Sequence, residues 1–269
     1  DGESLYHATE LGHHDGLRML LAHGADPKGT NALLRAIDFH DHTAVRMLLA
    51  HGARADDFDD AAVGGEDPWV VPALHQAARR GSDAEMVSLL LESGADPTRV
   101  YQGAAVYPFA RVHGNQALVA TLEAQGAATA LSPTEALLAR AAEGQDSPGQ
   151  YVDPAKLPEA YRNILREIVH LSGRQGHIKR LVALGLEYDR PDSAGLTPVQ
   201  VAGWEGLPEI MTYFLKLKPD LGHVNAYGGT LLGTIIHGSE NAPDAASRDH
   251  IACLQIALGH GVALPRGDI

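Results

Sequence analysis

The segment LLAHGADP at residues 20–27 decides the fold of this 269-residue sequence, because the chain repeats it. It returns as LLAHGA at residues 48–53 and as LLESGADP at residues 90–97. Recurrence at roughly 20–50 residues is the signature of arrays built from one supersecondary unit. The sequence therefore predicts a chain assembled by stacking copies of one unit, and not one large core.

Each copy closes an amphipathic helix, because apolar residues stand three and four positions apart before each glycine. The residues with this spacing are Leu17, Leu20 and Leu21; Val45, Leu48 and Leu49; Val87, Leu90 and Leu91; and Ile178, Leu181 and Val182. The spacing predicts a helix with one buried face. The glycine stands where a helix can end in a left-handed residue without steric cost.

A second kind of helix precedes each of these and carries small residues at fixed places. Those residues are Ala8, Ala36, Ala77, Ala78, Ala110 and Ala202, and the turns that follow are marked by Gly12, Gly81, Gly114, Gly173 and Gly206. The intervals 81–114 and 173–206 are each 33 residues long. The predicted unit is thus a helix, a tight turn, a helix, a glycine stop and an exposed loop.

The 33-residue spacing and the segment GLTPVQVA at residues 195–202 resemble the ankyrin repeat, whose signature is T-P-L-H-x-A. Val199 replaces the signature leucine and Gln200 the histidine, whereas ALHQAA at residues 73–78 keeps the Leu-His-x-Ala-Ala part. The resemblance implies an all-α fold, an ankyrin-repeat solenoid of stacked antiparallel helix pairs with projecting loops. Residues 228–239 look like the last unit of a bacterial type of ankyrin protein.

The repeat logic predicts a single array over residues 1–269 with about eight units. The pattern is interrupted at residues 56–72, which begin with the acidic run 56–60 and contain Phe58 and Trp69. It is interrupted again at residues 144–158 and 239–247. Thr134–Glu143 is predicted to be a first helix whose usual partner is missing.

The formal net charge of −13 excludes several classes of partner. A negative field repels phosphate, so we expect no nucleic-acid partner, no specific binding of duplex DNA at physiological salt and no docking on anionic membranes. The sequence contains no run of about 18 apolar residues, so it predicts no transmembrane helix. Cys253 is the single cysteine, so the fold needs no disulfide. We expect a monomer in the cytoplasm, and the sequence leaves open whether a leader segment has been removed.

The residue types that carry chemistry form no convincing constellation. The densest histidine clusters, His13-His14-Asp15 and His40-Asp41-His42, lack a four-ligand set at zinc spacing. His237-Gly238-Ser239-Glu240 lacks the nucleophile elbow of a hydrolase. Cys253 is expected to be a buried structural residue of the last helix. The sequence therefore predicts no catalytic residue, no metal and no cofactor.

The resemblance to ankyrin proteins implies that loop tips and inner helices contact a protein partner. It places the contact row at the two residues before each turn: Glu10 and Leu11, Asp38 and Phe39, Arg79 and Arg80, Val112 and His113, and Trp204 and Glu205. The first candidates are Phe39, Arg79, Arg80 and Trp204, because aromatic and arginine side chains are the usual interface anchors. Tyr101 and Tyr227 in the loops follow. For Trp204 we give equal weight to the alternative that its side chain packs on the neighbouring unit.

Two functional hypotheses remain open at this point. The first is a non-catalytic protein–protein interaction scaffold that binds a partner in its concave groove. The alternative is an enzyme or small-ligand-binding protein that uses a pocket around the irregular middle, residues 144–160. A pocket with converging polar groups would favour the second hypothesis.

Overall fold

The computed structural model describes residues 2–10, 12–56, 71–242 and 245–262. Their contacts divide the chain into two compact units. Unit 1 comprises residues 1–146 and 158–161, and unit 2 comprises residues 147–157 and 162–269. Most of the predicted interruption at 56–72, including Phe58 and Trp69, lies outside the described residues, as does Leu11. The single array of about eight units stays a prediction.

Unit 1 consists of helices and one short hairpin. Its elements are α1 (Gly2–Glu10), α2 (His14–Ala22), α3 (Ala32–Asp38), α4 (His42–Ala50), α5 (Ala73–Arg80), α6 (Ala84–Glu92), β1 (Val100–Tyr101), β2 (Ala104–Ala105), α7 (Val106–His113), α8 (Gln116–Ala124) and α9 (Pro133–Ala142). The two strands pair antiparallel, with Tyr101 opposite Ala104. They are the only sheet within the described ranges, so the prediction of an all-α fold is confirmed.

Unit 2 is helical in its described part. After α10 (Glu159–Arg162), which crosses the boundary between the units, it contains α11 (Ile164–Ile168), α12 (Gln175–Ala183), α13 (Pro198–Trp204), α14 (Pro208–Lys216), α15 (Leu231–Asn241) and α16 (His250–Gly259). None of the helices described in either unit combines the length and apolarity that a bilayer crossing requires.

The predicted helix pair is the building unit of the fold. In unit 1 the first helices α1, α3, α5, α7 and α9 pack in succession, and so do the second helices α2, α4, α6 and α8. Gly81 and Gly114 end their helices in the left-handed conformation, with φ of 69° and 71°. His40 takes the same place between α3 and α4 with a φ of 52°, which costs a residue with a Cβ about 1–2 kcal/mol.

The predicted stripes form the core of the unit. Leu17, Val45, Leu48, Val87 and Leu90 are fully buried. One stripe leucine of each copy is only half-buried: Leu20 in the first, Leu49 in the second and Leu91 in the third. The stripe spacing therefore located the core correctly, with one leucine of each copy at its edge.

Aspartates that begin second helices also link each helix pair to the pair before it. Asp41 accepts the backbone N–H of Ala44 at 2.9 Å and pairs with Nε2 of His14, in the preceding helix pair, at 2.6 Å. Asp83 accepts the N–H of Met86 and pairs with Nε2 of His42 at 2.9 Å. The N–H of Met86 and the His42 ring hold the pKa of Asp83 below its usual range.

Two predicted boundaries need correction. The helix expected at Thr134–Glu143 is α9, one residue earlier at each end, because Ser132 and Glu135 form a reciprocal capping box. The insertion expected at 239–247 begins later, because α15 continues through Asn241. Oγ of Ser239 bonds the carbonyl of Ile236 within that helix.

The missing partner of α9 is replaced by a returning segment. Residues 143–157 contain one 3-10 turn, Pro154–Lys156, and no α-helix. Residues 158–161 then rejoin unit 1. The buried Tyr161 donates its hydroxyl to Oε1 of Glu135 at 2.8 Å, and its ring stacks on Phe109 at a centroid distance of 6.1 Å.

Candidate partner-binding surface

The predicted contact residues lie at the ends of first helices and are mostly half-buried. This holds for Glu10, Asp38, Phe39, Arg79, Arg80, Trp204 and Glu205. A half-buried side chain is held by its neighbours and still presents part of its surface to solvent. These positions therefore remain available to a partner.

In unit 1 these side chains join into a network across α1, α3 and α5, which we call the first-helix network: Glu10, Arg35, Asp38, Gln76 and Arg80. Nε of Arg80 donates to Oδ1 of Asp38 at 2.8 Å, and the Gln76 amide donates to the same oxygen. Arg35 donates to Glu10 and lies 3.6 Å from Asp38. Each charge has a partner of opposite sign on a neighbouring helix, which fixes the geometry of the row.

Aromatic rings cover the central arginine of this network. The Arg35 guanidinium lies 4.7 Å from the centroid of the Phe39 ring and 5.0 Å from that of Tyr6. Burial raises the pKa of Tyr6, which keeps its hydroxyl neutral. Burial alone would raise the pKa of Glu10, but hydrogen bonds from His7 and Arg35 outweigh it and lower that pKa.

The prediction is wrong at α7, where Val112 and His113 are fully buried. The ring of His113 stacks on Phe109 at 3.8 Å and its Nδ1 donates to the carbonyl of Phe109 at 3.0 Å, so it belongs to the core. The half-exposed charges in this part of unit 1 are Arg111 and its ion-pair partner Glu143. Counting two residues back from the turn glycine missed them, because α7 turns its last residues inward.

Trp204 packs on the neighbouring helix pair and keeps part of its side chain in solvent, while its contact with a partner stays a prediction. Its ring lies 5.0 Å from that of His237 on α15, and yet the side chain stays half-exposed. Its carbonyl accepts Nε2 of His250 at 2.8 Å. A Cβ on Gly238 would fall well inside van der Waals contact of that carbonyl oxygen, so glycine is what allows α13 and α15 to meet here.

We expect Gly238→Ala to lower the free energy of unfolding by about 1–3 kcal/mol, the usual cost of overpacking. Gly233→Ala in the same helix meets only Oγ1 of Thr230 at 3.5 Å, and should raise stability by about 0.5–1 kcal/mol, because alanine favours helix. Urea melts of both variants measure the difference. Stabilisation by both substitutions would contradict the close approach of α13 and α15.

The loop candidates differ in exposure. Tyr227 is 71% exposed in the loop before α15. Tyr101 is half-buried in β1, with its ring 5.6 Å from that of His75. Of the acidic run at 56–60, only Asp56 lies within the described residues, and its Oδ2 accepts the N–H of Asp96 at 2.8 Å. Tyr227 is thus the more accessible of the two loop candidates.

Groups that could carry chemistry have structural partners. His23, His51 and His260 each follow the last residue of a second helix and donate Nδ1 to the carbonyl four residues earlier, at 2.8–2.9 Å. Cys253 is buried, which confirms that prediction and raises the pKa of its thiol to about 12. Among the described residues, no group of three or more His, Cys, Asp or Glu is placed to hold a metal ion.

A shallow, open groove of about 340 Å³ lies on unit 2, where it is lined by Gln175, Pro208, Glu209, Thr212 and Ile256. Its lining includes no residue of the segment 144–160. Within that segment, Tyr151 is 69% exposed and the N–H of Val152 donates to Leu184. The polar residues of the lining, Gln175, Glu209 and Thr212, therefore lie outside the segment that the small-ligand alternative invokes.

Comparison with protein-family models agrees with the helix pair at one place in the chain. The ankyrin-repeat family model matches residues 72–100, which hold α5 and α6. Among solved structures, the chain is similar to the ankyrin repeat domain of human ASB11, with 20% identity, 97% of this chain and 98% of that chain covered, and a TM-score of 0.38. No curated protein matches the chain in sequence.

Proposed function

We propose that this chain, whose residues 72–100 match the ankyrin-repeat family model, binds another protein along its first helices and loop tips, without catalysis. Ankyrin repeats generally mediate protein–protein interactions, and the family is typically non-enzymatic. The proposal adds the location of the binding surface, which is where the sequence predicts a groove.

The first-helix network is the observation that carries the proposal. Its charged residues are half-buried around the buried Gln76. They differ in charge and size from helix to helix, and they stand on helices that stack in succession. Phe39 and Arg80 are of the types that dominate interface energetics. Because hydrogen bonds and ion pairs already hold these side chains, ordering them on binding costs less conformational entropy.

Unit 2 offers contacts of the same kind. Trp204 and Glu205 end α13 half-exposed, and Tyr227 projects from a loop with most of its ring in solvent. Tryptophan and tyrosine supply large contact areas with a polar tip. We therefore propose Trp204 and Tyr227 as partner contacts of unit 2.

The test compares the parent chain with Phe39→Ala, Arg80→Ala and Trp204→Ala. Each variant, immobilised in parallel with the parent, is exposed to extract of the source cell, and proteins retained by the parent are quantified by mass spectrometry. The affinity of each purified partner is then measured by calorimetry. We expect the dissociation constant to rise at least about tenfold, the loss that a hot-spot residue produces.

Met19→Ala is the matched control, because Met19 is 63% exposed on a second helix, α2. It should retain the partner with the affinity of the parent, and thermal melts show that all variants are folded. If folded Phe39, Arg80 and Trp204 variants bind as tightly as the parent, the proposed surface is wrong. The acidic run at 56–60 then becomes the next candidate.

A further inference from the structure

The last described helix, α16, is apolar on two sides. His250, Cys253 and Ala257 are buried against the rest of unit 2. Ile251 is 71% exposed and Leu258 is 49% exposed, and seven residues separate them, which places both on another side of the helix. A helix that is apolar around most of its surface is usually covered.

The exposed positions of α16 correspond to positions that contact a following helix elsewhere in the chain. Counted back from the stop glycine Gly261, Ile251 is ten residues away; the same count gives His14 before Gly24 and His42 before Gly52. His14 pairs with Asp41, and His42 with Asp83, each at the start of the next second helix.

A second position repeats the correspondence. Gln255 stands six residues before its stop glycine, as Arg46 does before Gly52, and Arg46 donates to Glu85 of the next second helix. Leu258 continues the same side of α16, one turn further along. In α16 this docking side therefore carries large apolar side chains in place of charged ones.

The first helix of this pair is exposed on the matching side. Leu231, Ile235 and Gly238 of α15 face α13. Ile236, 51% exposed, points away from them, with Glu240 on the same outer side. We call the surface formed by Ile236, Ile251, Gln255 and Leu258 the end face.

In place of the monomer expected from the sequence, we propose that the end face is an interface through which two copies of this chain associate, with their α16 helices antiparallel about a two-fold axis. In that arrangement Ile251 of one copy meets Leu258 of the other, and Gln255, midway between them, lies near the axis. A two-fold interface requires such a self-complementary patch. Contiguous exposed apolar side chains on a soluble protein commonly mark an interaction site.

The charge distribution favours a second copy at this end. Unit 1 holds 22 acidic and 10 basic residues, a formal charge of −12, whereas unit 2 holds 12 acidic and 11 basic residues, a formal charge of −1. Two copies that meet through unit 2 therefore bring together units whose formal charge is close to zero. Contact through unit 1 would oppose two strongly negative fields.

The first test is the mass of the chain in solution by light scattering over micromolar concentrations. We expect the mass to approach twice 28.5 kDa as the concentration rises, and the double variant Ile251→Lys, Leu258→Lys to stay at 28.5 kDa. Met19→Lys, at an exposed site of unit 1, should associate like the parent. A parent that stays monomeric, a double variant that still dimerises, or assemblies that grow beyond two copies would overturn the proposal.

The second test places a thiol near the axis. Gln255→Cys should form a disulfide-linked dimer under mild oxidation much faster than Glu85→Cys, which is exposed on α6 of unit 1. The native Cys253 is buried and does not compete. Equal rates for the two variants would contradict the two-fold arrangement. Neither test depends on the proposed partner surface, so the two proposals can fail separately.

Discussion

Leu90→Ala is expected to lower the free energy of unfolding by about 2–5 kcal/mol, the range for a fully buried leucine. Leu90 has no exposed surface and lies on α6 between the helices α4 and α8. The loss combines the transfer free energy of the missing methyl groups with the cavity they leave, because neighbours on both sides limit its collapse. Denaturant melts measure the change directly.

Glu92→Ala is the matched control for Leu90→Ala. Glu92 ends the same helix with its side chain exposed, and a surface substitution changes stability by less than about 0.5 kcal/mol. The acidic run offers Asp59 as another control, although it lies outside the described residues. Equal losses in Leu90→Ala and Glu92→Ala would mean that the stripe register is wrong.

Acid should destabilise the protein through His75. The ring is fully buried, its Nε2 donates to the carbonyl of Ala104 at 3.0 Å, and burial lowers its pKa to about 4. Between pH 6.5 and pH 4 the His75 imidazole is therefore protonated in the unfolded chain and neutral in the folded chain. Stability is lost as the pH falls from 6.5 toward 4, by about 3 kcal/mol in total for a shift of this size.

The measurement is the free energy of unfolding between pH 7 and pH 4, for the parent and for His75→Gln. Carboxylates such as Asp83, whose pKa is lowered, also lose stabilising interactions in acid, so the comparison of slopes matters more than either curve. We expect a shallower pH dependence in His75→Gln. Identical slopes would show that His75 does not titrate in the predicted way.

Local signals explain why so much of the fold could be predicted from the sequence. Helix ends depend on the residue at the stop, and Gly81 and Gly114 adopt the left-handed conformation that their residue type favours. Core stripes depend on spacing alone, so Leu17 and Leu48 were placed correctly. The return of residues 158–161 to unit 1 carries no such signal, because it rests on the contact of Tyr161 with Glu135, 26 residues away in sequence.

The candidate surface was less predictable, because exposure is decided by tertiary packing. Asp38 and Phe39 precede their turn in the same way as Val112 and His113, but the first pair is half-exposed and the second is buried. The stack of His113 on Phe109 draws the end of α7 inward. Arg35 was missed because it lies outside the counted positions, although it is at the centre of the network.

The return of residues 158–161 also limits how the chain can be dissected. A fragment that ends at residue 146 would lose Tyr161 and leave Glu135 and Phe109 without the ring that covers them. A fragment that begins at residue 162 would lose residues 147–157, which belong to unit 2, and with them the bond from Val152 to Leu184. The polypeptide therefore offers no single peptide bond at which cutting yields two intact halves.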